Sequence, residues 1–98
     1  MIIVKQNKIK KAAAIRYDPG DIAPRVIARG KGIVADNILE KAEDEKLPVY
    51  KDEALANTLT QLDIGDLIPE ELYQIVAEIM VFVNDLDALY DRRKYEQK

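Results

Sequence analysis

Residues Gly30 to Ala35 (GKGIVA) have the spacing of a phosphate-binding turn between a strand and a helix. The free amides at a helix N-terminus attract phosphate, and Arg29 and Lys31 would add positive charge there. A strand ending near Asp52 would supply the acid that a dinucleotide-binding fold places on the ribose. A chain of 98 residues has room for one half of such a fold. Gly-x-Gly also serves tight strand-to-helix turns for steric reasons alone, so nucleotide binding at Gly30–Ala35 is kept as the weaker alternative.

Most other catalytic chemistry is excluded by composition. The sequence contains no histidine, no cysteine and no serine, and its threonines are Thr58 and Thr60. This removes Ser-His and Cys-His nucleophiles and every zinc site that needs histidine or cysteine. The eighteen acidic residues are interpreted as helix caps and solvated faces. Acid–base catalysis by two carboxylates needs an apolar environment that gives the two groups different pKa values, and no pair of acidic residues lies in such an environment. The sequence therefore predicts no enzymatic activity, no cofactor and no metal.

Length and hydropathy favour one small domain. Hydrophobic residues make up 48% of the chain and charged residues 34%, which is typical of a globular protein. The apolar run Ile79–Val83 is far shorter than the roughly 20 residues of a membrane span. Lysines follow the apolar start Met1–Val4, the reverse of the order in a signal peptide. We expect a soluble, cytoplasmic protein with a single domain over residues 1–90 and a frayed tail over residues 91–98.

Charge is unevenly distributed along the chain. Residues 1–31 carry eight basic and two acidic side chains, whereas residues 32–98 carry seven basic and sixteen acidic ones. A basic segment suits an anionic partner, which could be nucleic acid, a membrane surface or an acidic protein. The simpler interpretation, which we favour, is a lysine-rich solvent face on antiparallel strands. Nucleic-acid binding remains an alternative function, although the segment lacks the interleaved aromatic side chains that stack on bases.

Periodicity and turn signals predict an α/β fold, a small mixed sheet of about four strands covered by three helices in the order β-β-β-α-β-α-α. Asp18, Pro19 and Gly20 form a strong turn signal, and Asp52 is a helix N-cap. Predicted strands are residues 2–4, 12–17, 25–29 and 49–50, and the predicted helices cover 33–46, the residues after Asp52 up to Gly65, and the residues from Pro69.

The last predicted helix is unusually apolar. Its core face is predicted to hold Leu72, Ile75, Val76, Ile79, Val83 and Leu86. The apolar arc extends further through Met80, Tyr73 and Ala77, to about half of the circumference. Two explanations stay open: the second helix covers the extra arc, or the arc forms a groove beside Ala77 and Met80 for a partner segment.

Several segments resemble a known family. These are residues 14–19 (AIRYDP), 23–32 (APRVIARGKG), 47–49 (LPV) and 64–73 (IGDLIPEELY). Together they are similar to the C-terminal cytoplasmic domain of the FlhB/YscU family, export-apparatus proteins of bacterial flagella and type III secretion systems. The similarity extends over roughly residues 2 to 86. It implies a role in recognising export substrates, switch proteins or export-gate proteins. It also implies that association with the export apparatus would hold the protein at the cytoplasmic face of the inner membrane.

The resemblance also indicates a degenerate cleavage loop. Family members cut themselves in an Asn-Pro-Thr-His loop, where the asparagine side chain attacks its own carbonyl in a strained turn. The corresponding residues are Asn7, Lys8, Ile9 and Lys10, so the asparagine is kept while the other three positions are replaced. We therefore expect no self-cleavage. We also expect the protein to be a free-standing form of this domain.

A second site is implied by the same resemblance. In the family, a small apolar patch is associated with the docking of exported subunits. Its counterparts in this sequence are Ala23, Pro24, Ala77 and Met80. Two of these, Ala77 and Met80, lie on the flank of the last helix that periodicity had already marked as unusually apolar. The resemblance and the periodicity thus point to the same surface.

Overall fold

The computed structural model of the chain describes residues 1–18 and 20–81. It confirms the α/β class and the predicted order of elements. The predicted core residues Val83 and Leu86, and the predicted tail at 91–98, lie outside the described residues. Within the described part, no helix has the length and apolar character that crossing a membrane requires. The elements are β1 (Ile2–Gln6), β2 (Lys11–Arg16), β3 (Arg25–Lys31), α1 (Ile33–Asp44), β4 (Val49–Lys51), α2 (Glu53–Leu59), a 3₁₀ turn (Glu70–Leu72) and α3 (Tyr73–Ile79).

The four strands form one mixed sheet in the order β3-β2-β1-β4. The pairs β1–β2 and β2–β3 are antiparallel, whereas β1 and β4 are parallel. The ends of β1, β3 and β4 therefore meet the start of β2 at one end of the sheet. We call this the hairpin end, because the turn 7–10 between β1 and β2 lies there. A bulge between Ala14 and Ile15 shifts the pairing of β2 with β3.

Both faces of the sheet are covered, and consecutive alanines in β2 make this possible. Ala13 belongs to the core shared with α2 and α3, whereas Ala12 and Ala14 belong to the core under α1. All three alanines are buried. The expectation of a lysine-rich solvent face on the first strands is therefore wrong. When both faces of a strand are buried, charged side chains are accommodated only near its ends. The lysines of β1 and β2 accordingly lie at the hairpin end.

The first two helices begin where the sequence predicts, but α2 ends at Leu59 rather than near Gly65. The Asp52 carboxylate accepts a hydrogen bond from the Leu55 amide at 2.9 Å, as expected of an N-cap. Leu55 and Leu59 of α2 are buried. In α1, Ala35 and Ala42 are buried against the sheet, whereas Val34 is 51% exposed. It lies over Gly30 at the turn between β3 and α1 instead.

The last helix has a different core face from the predicted one. Val76 and Ile79 are buried as expected, and Leu72 packs against the same core from a partly buried position. Ile75 is 36% exposed, and Met80 is buried in its place. The helix begins after a 3₁₀ turn, which has 3.0 residues per turn rather than 3.6. That turn alters the rotational phase of the residues that follow it.

Candidate functional site

The segment before α3 pairs with the start of β3 and sets the position of residues 23 and 24. The Val26 amide donates to the Asp66 carbonyl at 2.9 Å, and the Gly65 amide donates to the Val26 carbonyl at 2.7 Å. The Arg25 guanidinium donates to the Gly65 carbonyl at 2.8 Å. Gly65 has a φ of 97°, which glycine adopts without strain and other residues rarely do. The chain entering β3 is thereby held beside the chain entering α3.

This pairing creates a shallow apolar groove of about 280 Å³, which we call the α3 groove. All four residues of the predicted patch line it. Ala23 and Met80 are buried and belong to the core, Pro24 is half-buried, and Ala77 is exposed. The full lining consists of Tyr17, Ile22, Ala23, Pro24, Tyr73, Ala77, Met80 and Val81. The structure therefore brings together, in one groove, residues separated by more than fifty positions in the sequence.

Three further lining residues were not predicted from the sequence. Ile22 is 85% exposed at the edge of the groove, and Tyr17 and Val81 are also exposed. Ile22 could have been noticed, since an isolated isoleucine in the polar connection before Pro24 has no core element to join. Within residues 1–18 and 20–81, the side chains that line the groove carry no charge. The surface therefore suits an apolar segment rather than an ionic ligand.

A larger cleft lies on the other flank of α3. Its volume is about 640 Å³, and it is lined by Tyr50, Ile75, Ala77, Glu78, Ile79 and Val81. Ala77 and Val81 belong to both depressions. The wide apolar arc predicted for the last helix is thus present on both flanks of α3. No residue of α2 lines either depression, which counts against coverage by the second helix, and a groove beside Ala77 and Met80 is present as the other explanation expects.

The loop Asn7–Lys10 lies at the hairpin end, away from the α3 groove. The Gly32 amide donates to the Lys10 carbonyl at 2.9 Å, and the Lys10 ammonium is 3.2 Å from a carboxylate oxygen of Asp36. Among the described residues other than glycine, Lys46 is the one with a positive φ. The turn at Asn7 therefore contains no residue in the strained left-handed region. The two predicted sites are separate surfaces of the domain.

The strands flanking the loop are tied to α2 through one asparagine. The Lys11 ammonium donates to the side-chain oxygen of Asn57 at 2.7 Å, and the buried Gln6 side-chain amide donates to the same oxygen. Gln6 and Lys11 are partners across the β1–β2 pair. Asn57 thus fixes both arms of the hairpin immediately next to the loop. Sequence reasoning missed this network, because nothing in the local pattern connects residue 57 to residues 6 and 11.

The glycine-rich turn does not form the nucleotide-binding arrangement. Strand β4 is separated from β3 by two intervening strands, whereas the dinucleotide motif needs adjacent parallel strands. Asp52 caps α2 and is not free to bind a ribose. A Cβ atom on Gly30 would lie 2.6 Å from the Cβ atom of Val34, so packing requires this glycine. The steric interpretation of Gly30–Ala35 is the one that the structure supports.

The sheet, the α3 groove and the hairpin loop together define a small α/β domain with a four-stranded mixed sheet. The family described as the FlhB HrpN YscU SpaS Family matches residues 2–83. The chain therefore belongs to this family.

Individual relatives agree with the assignment. The uncharacterized protein YlqH of Bacillus subtilis (strain 168) is 45% identical over 91 residues, which cover 92% of this chain and 98% of that protein. The flagellar biosynthetic protein FlhB of Aquifex aeolicus (strain VF5) is 39% identical over 83 residues, which cover 83% of this chain but 24% of that protein. The chain thus spans nearly the whole of the first relative and about a quarter of the second.

Solved structures also match this fold. A mutated EscU C-terminal domain superimposes with a TM-score of 0.80 at 33% identity, covering 88% of this chain and 86% of that one. The cytoplasmic domain of FlhB from Shewanella putrefaciens gives a TM-score of 0.76 at 27% identity, covering 98% of this chain and 74% of that one. The family and fold expected from the sequence are both confirmed.

Proposed function

We propose that this protein is a non-catalytic binding module of the flagellar or type III protein export apparatus. Its α3 groove would receive an apolar segment of an export substrate or of a protein that switches export between substrate classes. Membership of the FlhB HrpN YscU SpaS Family supports the export role. The observation that carries the binding role is the convergence of Ala23, Pro24, Ala77 and Met80 on one uncharged groove.

The physical argument rests on exposed apolar surface around the groove. Ile22 is 85% exposed, Val81 45% and Tyr73 38%. Burying such side chains against a partner releases ordered water and stabilises the complex by roughly 25 cal/mol per Å² of apolar area. Core atoms of Ala23 and Met80 form the base of the groove. A base fixed by the core limits the conformational entropy that the protein loses on binding.

The proposed partners follow from the same assignment. They are exported subunits and the export-gate proteins. Binding to the export apparatus would hold the domain at the cytoplasmic face of the inner membrane. No cofactor is needed for such a role. In this proposal the loop Asn7–Lys10 remains uncut, because Lys8, Ile9 and Lys10 replace the residues with which the family cleaves. Asn57 also holds the arms of the hairpin in a regular pair.

The binding proposal can be tested with purified components. The wild-type protein is titrated by calorimetry with purified rod and hook subunits encoded in the same genome. Ala77→Asp places a charge in the exposed part of the groove, and we expect it to weaken binding at least tenfold, since the carboxylate loses water without gaining a partner. Ala54→Asp is the matched control, because Ala54 is also an exposed helical alanine and lies outside the groove.

Met80→Asp is a less suitable variant than the sequence suggests. Met80 is 5% exposed and belongs to the core, so an aspartate there would destabilise the whole domain. Equal affinity of wild type and Ala77→Asp would contradict the assignment of the groove. Loss of binding in Ala54→Asp as well would show that the effect is not specific to the groove.

A further inference from the structure

Six lysines converge on the hairpin end of the sheet. Lys5 lies opposite Lys51 in the β1–β4 pair, and Lys11 lies opposite Lys31 in the β2–β3 pair. The turn between β1 and β2 adds two more, Lys8 and Lys10. Strands in a sheet are about 4.8 Å apart, so these lysines are distributed across a width of roughly 15 Å.

Few negative charges compensate these lysines. Lys10 forms an ion pair with Asp36, and Lys11 is held by the side-chain oxygen of Asn57. Among residues 1–18 and 20–81, no carboxylate lies within 4.0 Å of the other four ammonium groups. Asp52, whose amide donates to the Lys5 carbonyl and whose carboxylate caps α2, and Glu53 are also near this end. Like charges directly opposite each other in a sheet are destabilising, and an anionic partner would relieve that repulsion.

Exposed apolar side chains lie among these lysines. Ile9 is at the tip of the hairpin between Lys8 and Lys10 and is 61% exposed. Ile33, the first residue of α1, is 77% exposed. The hydrogen bond from the Gly32 amide to the Lys10 carbonyl joins the hairpin turn to the start of α1, so both isoleucines are at the same end of the domain.

We infer that the hairpin end binds the surface of an anionic phospholipid bilayer. The lysine ammonium groups would contact headgroup phosphates, and Ile9 and Ile33 would enter the boundary between headgroups and acyl chains. Basic residues combined with projecting apolar side chains are the features that hold peripheral proteins on such surfaces. Isoleucines contribute nothing to recognition of a phosphate backbone in water, so the combination favours a membrane over nucleic acid.

The position of aromatic residues supports the same choice. Single-stranded nucleic acids are bound by aromatic side chains that stack on bases. Tyr17 and Tyr73 line the α3 groove, and Tyr50 packs against the core. No described tyrosine therefore projects from the hairpin end.

The hairpin end is a different surface from the proposed docking groove. Ala23 and Pro24, which line that groove, precede β3 and lie at the opposite end of that strand. A domain bound through the hairpin end would leave the groove accessible.

Vesicle flotation tests this inference with the full chain. One set of vesicles contains phosphatidylcholine and phosphatidylglycerol in equal parts, and the other contains phosphatidylcholine alone. We expect binding to the first set, weakened by added salt, and little binding to the second. Lys8→Glu should lower the partition coefficient on the order of tenfold, since the substitution removes one lysine contact with the headgroup phosphates and adds repulsion. Ile9→Ser should lower it severalfold without changing the salt dependence.

Matched variants at the opposite end of the domain serve as controls. Lys41→Glu reverses an exposed lysine in the last turn of α1, and Ile64→Ser changes an isoleucine that is 62% exposed. Both should bind vesicles like wild type. The inference is overturned if wild type does not bind the anionic vesicles at low salt, or if Lys8→Glu and Ile9→Ser bind as well as their controls. Lysine-dependent binding to a DNA duplex in the absence of vesicle binding would also overturn it.

Discussion

The backbone amide of Ile68 donates a hydrogen bond to the carbonyl of Pro24 at 2.9 Å. This bond joins a residue that lines the α3 groove to the segment that leads into α3. The Ile68 side chain is 2% exposed and belongs to the same core as Ala23 and Met80. The shape of the groove therefore depends on core packing as well as on the residues at its surface.

Replacing Ile68 by alanine should destabilise the domain. The deletion removes buried methyl and methylene groups and leaves a cavity, which costs about 2–5 kcal/mol of unfolding free energy. The measurement is urea denaturation followed by circular dichroism. Leu67→Ala is the control, because the neighbouring Leu67 is 37% exposed and its substitution should change stability far less. Equal destabilisation by the two variants would contradict the placement of Ile68 in the core.

The order of elements was predictable because its signals are local. β-Branched runs indicated β1 and β3, and the Asp52 cap marked the start of α2, whereas the helix ends at Leu59 rather than near Gly65. Each of these signals acts through the backbone preferences of a few adjacent residues. Segments specific to the family then joined these elements into a known fold, which the structural matches confirm.

Features that depend on register and helix phase were not predictable in the same way. The lysines of the first strands occupy an end of the sheet rather than a face, because three successive alanines in β2 allow helices to pack on both sides. The exchange of Ile75 for Met80 in the core follows the 3₁₀ turn after Pro69. The edge of the groove formed by Tyr17 and Ile22 requires tertiary proximity to α3, which no local pattern encodes.

Gly30→Ala tests the steric role of the glycine-rich turn. The added Cβ atom would lie 2.6 Å from the Cβ atom of Val34, well inside van der Waals contact. Because Val34 is β-branched and has few alternative rotamers, we expect a loss of about 1–3 kcal/mol of unfolding free energy. The same substitution in a Val34→Gly background should cost much less. A double-mutant cycle from urea denaturation measures the difference.

The outcome also bears on the nucleotide-binding alternative. If Gly30 serves packing alone, adding nucleotide should not raise the melting temperature of wild type, since a ligand that binds the folded state always stabilises it. Identical costs of Gly30→Ala in both backgrounds would contradict the proposed clash between residues 30 and 34.

The loop at Asn7 should remain uncut in the purified protein. Self-cleavage would require the Asn7 side-chain nitrogen to attack its own carbonyl carbon and expel the amine of Lys8. In this chain the hairpin is held by Asn57 and by the Gly32–Lys10 hydrogen bond, and no residue of its turn has a positive φ. Intact mass spectrometry after prolonged incubation should therefore show one species, at the 11.1 kDa of the uncut chain.

Asn7→Ala is the matched control for this experiment, because alanine has no side-chain nitrogen with which to attack. Wild type and Asn7→Ala should both give a single intact species. A fragment that begins at Lys8 and accumulates in wild type but not in Asn7→Ala would show that the loop retains the cleavage reaction. In that event the replacements at Lys8, Ile9 and Lys10 would be compatible with the chemistry, and asparagine alone would suffice for it.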